Sequence, residues 1–116
     1  MLDREDYNTV YPELLKRLDD AQDGIRVECC KALEVFFERL PDPWSSSLYE
    51  YTIKAIMIHL DDPNQDIQRA ISKVLEKGAR VQTGDFLRIA DEALQKQSHP
   101  LLVKNLIEYT HTTYKH

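Results

Sequence analysis

The apolar residues in the first third of the chain fall at the three- and four-residue spacing of amphipathic helices. Two such stripes are separated by the polar pair Asp19 and Asp20. The first stripe consists of Val10, Tyr11, Leu14, Leu15 and Leu18, and the second of Ile25, Cys29, Ala32, Leu33 and Phe36. The pattern predicts two helices joined by a short acidic turn, each with one buried face.

The same arrangement returns further along the chain. Leu18-Asp19-Asp20 recurs as Leu60-Asp61-Asp62, at an offset of 42 residues. Other residues that match at this offset are Ile25 with Ile67, Lys31 with Lys73, Leu33 with Leu75, and Glu34 with Glu76. A fixed period of about 40–47 residues is typical of arrays in which every unit is a bundle of two or three helices.

The turn inside each unit carries residues that start helices. Aspartate and asparagine accept hydrogen bonds from the free N–H groups of a first turn, and Pro63 fits a turn or a first helical position. Three apolar residues of the second helix, Val27, Cys30 and Phe37, lie off its main stripe. A helix pair by itself would expose them, so we expect a neighbouring unit to bury them.

A third unit is weaker. Its first helix is predicted from Phe86, Ile89, Ala90, Ala93 and Leu94, and its second from Leu101 to Tyr109. It lacks the paired aspartates, and Ile67 maps to Leu102 at a shorter offset of 35 residues. Beyond Tyr109 the chain is polar, and we expect the helix to end there. Atypical terminal units are the caps of repeat arrays.

The turn of the first unit resembles the HEAT-repeat family. In the run from Leu18 to Arg26, an aspartate is followed by a β-branched apolar residue and then by arginine. The resemblance implies that Asp23 or Asp20, together with Arg26, contributes to a ladder of ion pairs between adjacent repeats. The second copy departs from this pattern, because Gln68 stands where the family has arginine.

Longer stretches narrow the resemblance. The runs from Tyr11 to Asp20 and from His59 to Pro63 resemble the C-terminal repeats of the HEAT-repeat dynein axonemal assembly factors. The resemblance implies the C-terminal part of a longer array. It also implies a cytoplasmic role in preassembling axonemal dynein arms, with dynein chains, chaperones or other assembly factors as partners.

The predicted fold is all-α, an α-solenoid of about three HEAT-type helix pairs, or about six helices. A single array occupies residues 1–116. We place the first repeat at about 7–40, the second at about 45–80, and the degenerate C-terminal capping repeat at about 83–114. Two linkers are predicted to separate them, from Leu40 to Ser47 and from Gly78 to Gly84, because proline, serine and glycine interrupt helices.

Charge and composition narrow the range of partners. The formal net charge is −5 and the chain has no basic run, which disfavours nucleic acid and anionic membrane surfaces. No apolar stretch has the length of a membrane span, and the charged start lacks the apolar core of a signal peptide. The two cysteines, Cys29 and Cys30, are adjacent, and we expect both to be packed as free thiols in the cytoplasm.

The sequence contains few candidate catalytic or metal-binding residues. The paired aspartates are expected to serve as turn and capping groups, and the run that follows Asp61 lacks the alternating oxygen ligands of a calcium loop. None of the four histidines has a zinc-ligand spacing. We therefore expect no enzyme activity, no metal and no cofactor. The single tryptophan, Trp44, either anchors its linker on the helices or presents an exposed anchor to a partner.

The second helix of each pair supplies the predicted partner-binding residues, because the resemblance implies that these helices line the concave side of the array. With the apolar positions removed, the polar positions left are Arg26, Lys31, Glu34 and Glu38 on one helix, and Gln68, Lys73, Glu76 and Arg80 on the next. This mixed-charge stripe is either a contact surface for other proteins or a solvated face. Two functions follow, a protein-binding scaffold module or a structural cap that binds nothing itself.

Overall fold

The structure is a computed structural model that describes residues 4–40, 44–98 and 100–114. Within these residues all regular structure is helical, and no strand is present, which confirms the all-α prediction. The six α-helices are α1 (Arg4–Leu18), α2 (Asp23–Arg39), α3 (Ser46–Met57), α4 (Gln65–Val81), α5 (Thr83–Leu94) and α6 (Pro100–Tyr114). A single 3-10 turn, Ile58–Asp61, follows α3.

The helices pack in two rows. Each consecutive pair is in contact, α1 with α2, α3 with α4, and α5 with α6. Every helix also contacts its second neighbour, so α1, α3 and α5 form an odd row and α2, α4 and α6 form an even row. The contact between α2 and α4 is the most extensive in the molecule. The predicted partner-binding residues lie on α2 and α4, the two helices that share this contact.

The predicted apolar positions form the core between the rows. Leu33, Ile71 and Leu75 are fully buried. Cys30 and Phe37, which lie off the main stripe of α2, are buried as predicted, whereas Val27 is only half-buried and lines a groove beside α4. Gly78 of α4 packs closely against its neighbours, since a Cβ there would lie 2.9 Å from Cδ1 of Ile53 and 3.5 Å from the Phe37 ring.

Two positions of the predicted stripe on α2 are exposed. Ile25 is 38% exposed because it lies in the first turn of α2, next to the open acidic turn. Ala32 is exposed because it faces away from α4, on the outer side of α2.

The acidic turns have the same geometry in both copies. An oxygen of Asp20 accepts a hydrogen bond from the backbone N–H of Gln22 (2.8 Å), and an oxygen of Asp62 accepts one from Asn64 (2.8 Å). The Asn64 side chain then caps α4 by accepting from the N–H of Asp66 (2.8 Å). Repeated residues thus produce a repeated turn.

Two predicted boundaries are wrong. The linker from Gly78 to Gly84 is reduced to Gln82, because α4 continues to Val81 and α5 starts at Thr83. Gly78 does not break the helix, since its carbonyl accepts a hydrogen bond from the Tyr49 hydroxyl (2.7 Å) in the core.

The end of α6 also differs from the prediction. The helix does not stop at Tyr109 but runs on to Tyr114. Thr110 is fully buried, and its hydroxyl donates to the carbonyl of Leu106 (2.7 Å), so a residue of polar type is accommodated inside the helix packing. The Tyr114 hydroxyl reaches the carbonyl of Glu76 (3.3 Å) and ties the last turn to α4.

Trp44 anchors its linker on the helices. It is only 3% exposed, and its indole N–H donates to the Asn8 side chain of α1 (2.7 Å). Its ring makes edge-on contacts with Tyr11 and Phe36. The alternative of an exposed anchor for a partner is wrong. The other prediction on this linker extends over residues 41–43, which lie outside the described residues.

Candidate partner-binding surface

A groove of about 500 Å³ lies between α2 and α4 on the even row. Four of the predicted partner-binding residues line it together, Lys31 and Glu34 from α2 with Lys73 and Glu76 from α4. They meet because the two members of each pair are 42 residues apart and therefore occupy equivalent positions on neighbouring helices. The apolar part of the lining consists of Val27, Cys30 and Ala70.

Half of the charged side chains that line the groove form no ion pair with another described residue, whereas Asp66 and Arg69 pair with each other (3.4 Å). Within the described ranges, Glu34, Lys73 and Glu76 form no ion pair, and Lys31 has only an exposed pair with Glu28 (3.2 Å). Burial raises the pKa of the Glu76 carboxyl, and the nearby Glu34 carboxylate adds to the effect, whereas Lys73 lowers that pKa. A partner cation that approached Glu76 would therefore meet a carboxylate whose desolvation has already been partly completed on folding.

Cys30, in the floor of the groove, is chemically quiet. Cys29 and Cys30 are both free and buried, as the sequence predicts. Burial raises the pKa of each thiol to about 11. Because the thiolate is the reactive form, the groove offers packing surface and not a nucleophile.

Arg26 and Gln68, also predicted to bind partners, make contacts within the chain. The Arg26 side chain is only 12% exposed, and it donates to the carbonyl of Leu18 (3.2 Å) and to the Asp62 carboxylate (2.5 Å). The latter contact is a link between the first and second units, of the kind that the HEAT resemblance implies. Gln68, in place of the next arginine, donates to the backbone carbonyl of Asp62 (2.6 Å).

The contact between Arg26 and Asp62 lies beside another titratable group, the imidazole of His59. Burial lowers the pKa of His59, and the adjacent Arg26 guanidinium lowers it further, which favours the neutral imidazole. For Asp62, burial alone would raise the carboxyl pKa. The hydrogen bonds from Asn64 and Arg26 outweigh that effect and lower it. The Asn64 side chain adds a second link, to Asp23 (2.9 Å).

Glu38 and Arg80, the remaining predicted residues, join the ends of α2 and α4. Glu38 pairs with Lys77 (2.7 Å), and the hydrogen bond from that ammonium group lowers the carboxyl pKa. Arg80 donates to the carbonyls of Phe37 (3.0 Å) and Glu38 (3.3 Å) in the last turn of α2. A cation at this point also suits the negative end of the helix dipole.

Two tyrosines extend the even row beyond the predicted stripe. Tyr109 and Tyr114 of α6 pack edge to face, with ring centroids 6.1 Å apart. Burial and the hydrogen bond with Tyr109 raise the pKa of Tyr114 to about 12, so the hydroxyl stays protonated. They lie outside the predicted stripe, because the sequence pattern predicts that the helix ends at Tyr109. Helical periodicity would not have paired them either, because a separation of five residues corresponds to about 140° around a helix, and the contact depends on the length of the two side chains.

The described residues contain no group of three or more histidine, cysteine, aspartate or glutamate side chains that could hold a metal ion. None of the helices in that part of the chain is long and apolar enough to cross a membrane.

Comparison with known proteins places this arrangement in a biological context. No family model matches the chain, and no solved structure matches it significantly. Dynein axonemal assembly factor 5 of Xenopus laevis is 32% identical to it over 106 residues, which is 88% of the chain. The human protein of the same name is 29% identical over 113 residues, and the mouse protein 27% identical over 115 residues.

The chain is homologous to dynein axonemal assembly factor 5. The similarity extends over nearly all of the helical structure. The chain spans only 13% of the length of the Xenopus and human proteins and 14% of the mouse protein.

Proposed function

We propose that this chain is a protein-binding scaffold segment that acts in the cytoplasmic preassembly of axonemal dynein arms. The observation that carries the proposal is the similarity to three proteins named for dynein axonemal assembly, over 88–96% of the chain. The proposed partners are dynein chains, chaperones or other assembly factors. The proposed role requires no catalysis and no cofactor, only a shaped surface.

The proposed architecture is a short HEAT-type α-solenoid with a terminal, degenerate third unit. Three features support it: the 42-residue period, the second-neighbour packing of both rows, and the Arg26–Asp62 link between the first two units. In such an array each unit contacts its neighbours alone, and binding surfaces are formed by equivalent positions of successive repeats.

The proposed contact surface is the groove between α2 and α4, with the tyrosines of α6 at its edge. Its unpaired charges of both signs lie around an apolar floor, which suits a segment that inserts apolar side chains and carries polar groups at its margin. Tyrosines beside such a groove add contact area with little loss of side-chain entropy. The absence of internal pairing at Lys73 and Glu76, within the described residues, leaves both groups available.

The experiment is affinity capture from cells that build motile cilia. The variant K31E/K73E reverses both lysines of the groove, and the matched control K16E/K96E makes the same change in net charge at two exposed lysines of the odd-row side. We expect the groove variant to lose dynein or chaperone partners and the control to retain them, with equal helicity by circular dichroism. If K31E/K73E captures the same proteins as the wild type, the segment is a structural cap and not the binding surface.

A further inference from the structure

The outer face of the first helix pair carries a second groove, of about 850 Å³. It lies on the side of α1 and α2 that faces away from α3 and α4, and its apolar lining includes Val10, Leu14, Ala32 and Val35. Val35 is 45% exposed, one of the most exposed large apolar side chains among the described residues. No described element of the chain covers this face.

The internal repeat indicates which kind of structural element packs on this outer face of α1 and α2. At the offset of 42 residues, Val10, Leu14 and Ala32 correspond to Thr52, Ile56 and Val74, all of which are fully buried. The face that is open in the first unit is therefore closed in the second.

The next two positions show what closes it. Val35 and Phe36 correspond to Lys77 and Gly78, and both of these meet α2 of the preceding unit. Lys77 pairs with Glu38, and a Cβ on Gly78 would lie 3.5 Å from the ring of Phe37. In the second unit, this face is covered by the helix pair that precedes it.

The acidic turn gives a separate, polar observation. Asp62 uses one oxygen for its own turn and the other to accept Arg26 from the first unit. Asp20 repeats the turn, with one oxygen bonded to the N–H of Gln22 (2.8 Å). Its second oxygen has no partner in the part of the chain that the structure describes. The first unit thus has a carboxylate oxygen of Asp20 in the position that accepts an arginine in the second unit. No residue in the described part of the chain supplies that arginine.

We propose that the outer face of α1 and α2 docks one further helix pair, stacked in the register that α1 and α2 adopt on α3 and α4. The occupant presents an apolar face to Val10, Leu14 and Val35, and an arginine near the start of its second helix to Asp20. It belongs to the same polypeptide in proteins as long as the relatives, of which this chain matches 13–14%. This inference rests on the repeat architecture proposed above, and it is independent of the groove between α2 and α4.

The test compares thiol labelling in two contexts. Val35→Cys is placed in the 116-residue chain, and the equivalent cysteine is placed at the aligned position of full-length Xenopus laevis dynein axonemal assembly factor 5. Maleimide labelling is measured on the peptide by mass spectrometry. The native Cys29 and Cys30 contribute little background because both are buried. Ile58→Cys, at a site 66% exposed on the odd-row side, is the control.

We expect Val35→Cys to label quickly in the short chain and at least about tenfold more slowly in the full-length protein, since labelling would then require local opening. Ile58→Cys should label equally in both. Equal labelling of Val35→Cys in both contexts would overturn the proposal. Protection that rises with concentration in the short chain would assign the face to a second copy, and would overturn it as well.

A second variant tests the proposed contact between Asp20 and an arginine of the docked helix pair. Asp20→Asn retains the turn acceptor but loses the charge, and we expect it to leave the melting temperature of the short chain unchanged while Asp62→Asn lowers it. In the full-length relative, the same change at the position aligned with Asp20 should accelerate hydrogen exchange in the turn. Unchanged exchange there would contradict the arginine contact. A failure of K31E/K73E to affect capture would leave both of these results intact.

Discussion

Substitution of Gly78 tests how closely α4 packs against Ile53 of α3 and Phe37 of α2. It lies inside α4, where replacement by alanine normally stabilises a helix by up to about 1 kcal/mol. Here the added methyl carbon would lie 2.9 Å from Cδ1 of Ile53 and 3.5 Å from the Phe37 ring. Both side chains are fully buried, so neither can move into solvent.

Overpacking of this kind costs about 1–3 kcal/mol, which exceeds the gain in helix propensity. We therefore expect Gly78→Ala to lower the free energy of unfolding by about 1 kcal/mol and the melting temperature by about 4 °C. The control is Gly24→Ala, at an exposed site of α2 with no atom within 4 Å of the new carbon. That variant should gain about 0.5 kcal/mol.

Urea and thermal unfolding, followed by circular dichroism, measure both variants. Ile53→Val removes the atom that is closest to the new methyl group, so the double variant with Gly78→Ala should lose less stability than the sum of the single changes. A Gly78→Ala protein as stable as Gly24→Ala, or additive effects in the double variant, would refute the packing of α4 against Ile53 of α3.

Three further predictions test other contacts. Asp62→Asn should remove about 1–2 kcal/mol at pH 7, because the contact with Arg26 loses its charge. Folding lowers the pKa of Asp62, so the extra stability of the wild type over Asp62→Asn should be present above a pH of about 4, near the unfolded pKa, and should decline as the pH falls through the folded pKa. Urea unfolding at several pH values measures this difference, and a difference that does not change with pH would contradict the prediction. Asn8→Ala leaves the buried N–H of Trp44 without its acceptor and should cost about 1–3 kcal/mol, measured by the fluorescence of this lone tryptophan, with an unchanged midpoint arguing against the contact. Residues 83–116 alone should not fold, since α5 and α6 bury their apolar faces against the second unit, and a cooperative thermal transition of that fragment would count against repeat stacking.

The repeat and the helical class could be predicted because they depend on periodic burial. Leucine and isoleucine at matching positions, such as Leu33 and Leu75, report the same local environment in each unit. The acidic turns were predictable for the same reason, since Asp20 and Asp62 act through atoms only two residues away. Local chemistry and period require no knowledge of how the helices are shifted against one another.

The contacts that depend on that shift could not be predicted. The repeat predicts that Arg80 belongs to the binding stripe, yet its side chain donates to the carbonyls of Phe37 and Glu38. The pattern predicts a linker that begins at Gly78, because glycine interrupts isolated helices, whereas in the structure Gly78 lies inside α4 and permits close packing. The polar residues after Tyr109 predict a helix end before Thr110, but the Thr110 hydroxyl is hydrogen-bonded within its own helix and can therefore be buried.

The proposed role of this chain in the assembly of axonemal dynein arms is tested by disruption of its gene in cells that form motile cilia. Axonemes are examined in cross-section by electron microscopy, with re-expression of the wild-type or the K31E/K73E protein as the comparison. We predict axonemes that lack dynein arms, restored by the wild type and not by the groove variant. A full set of dynein arms in the disrupted cells would contradict the proposed function.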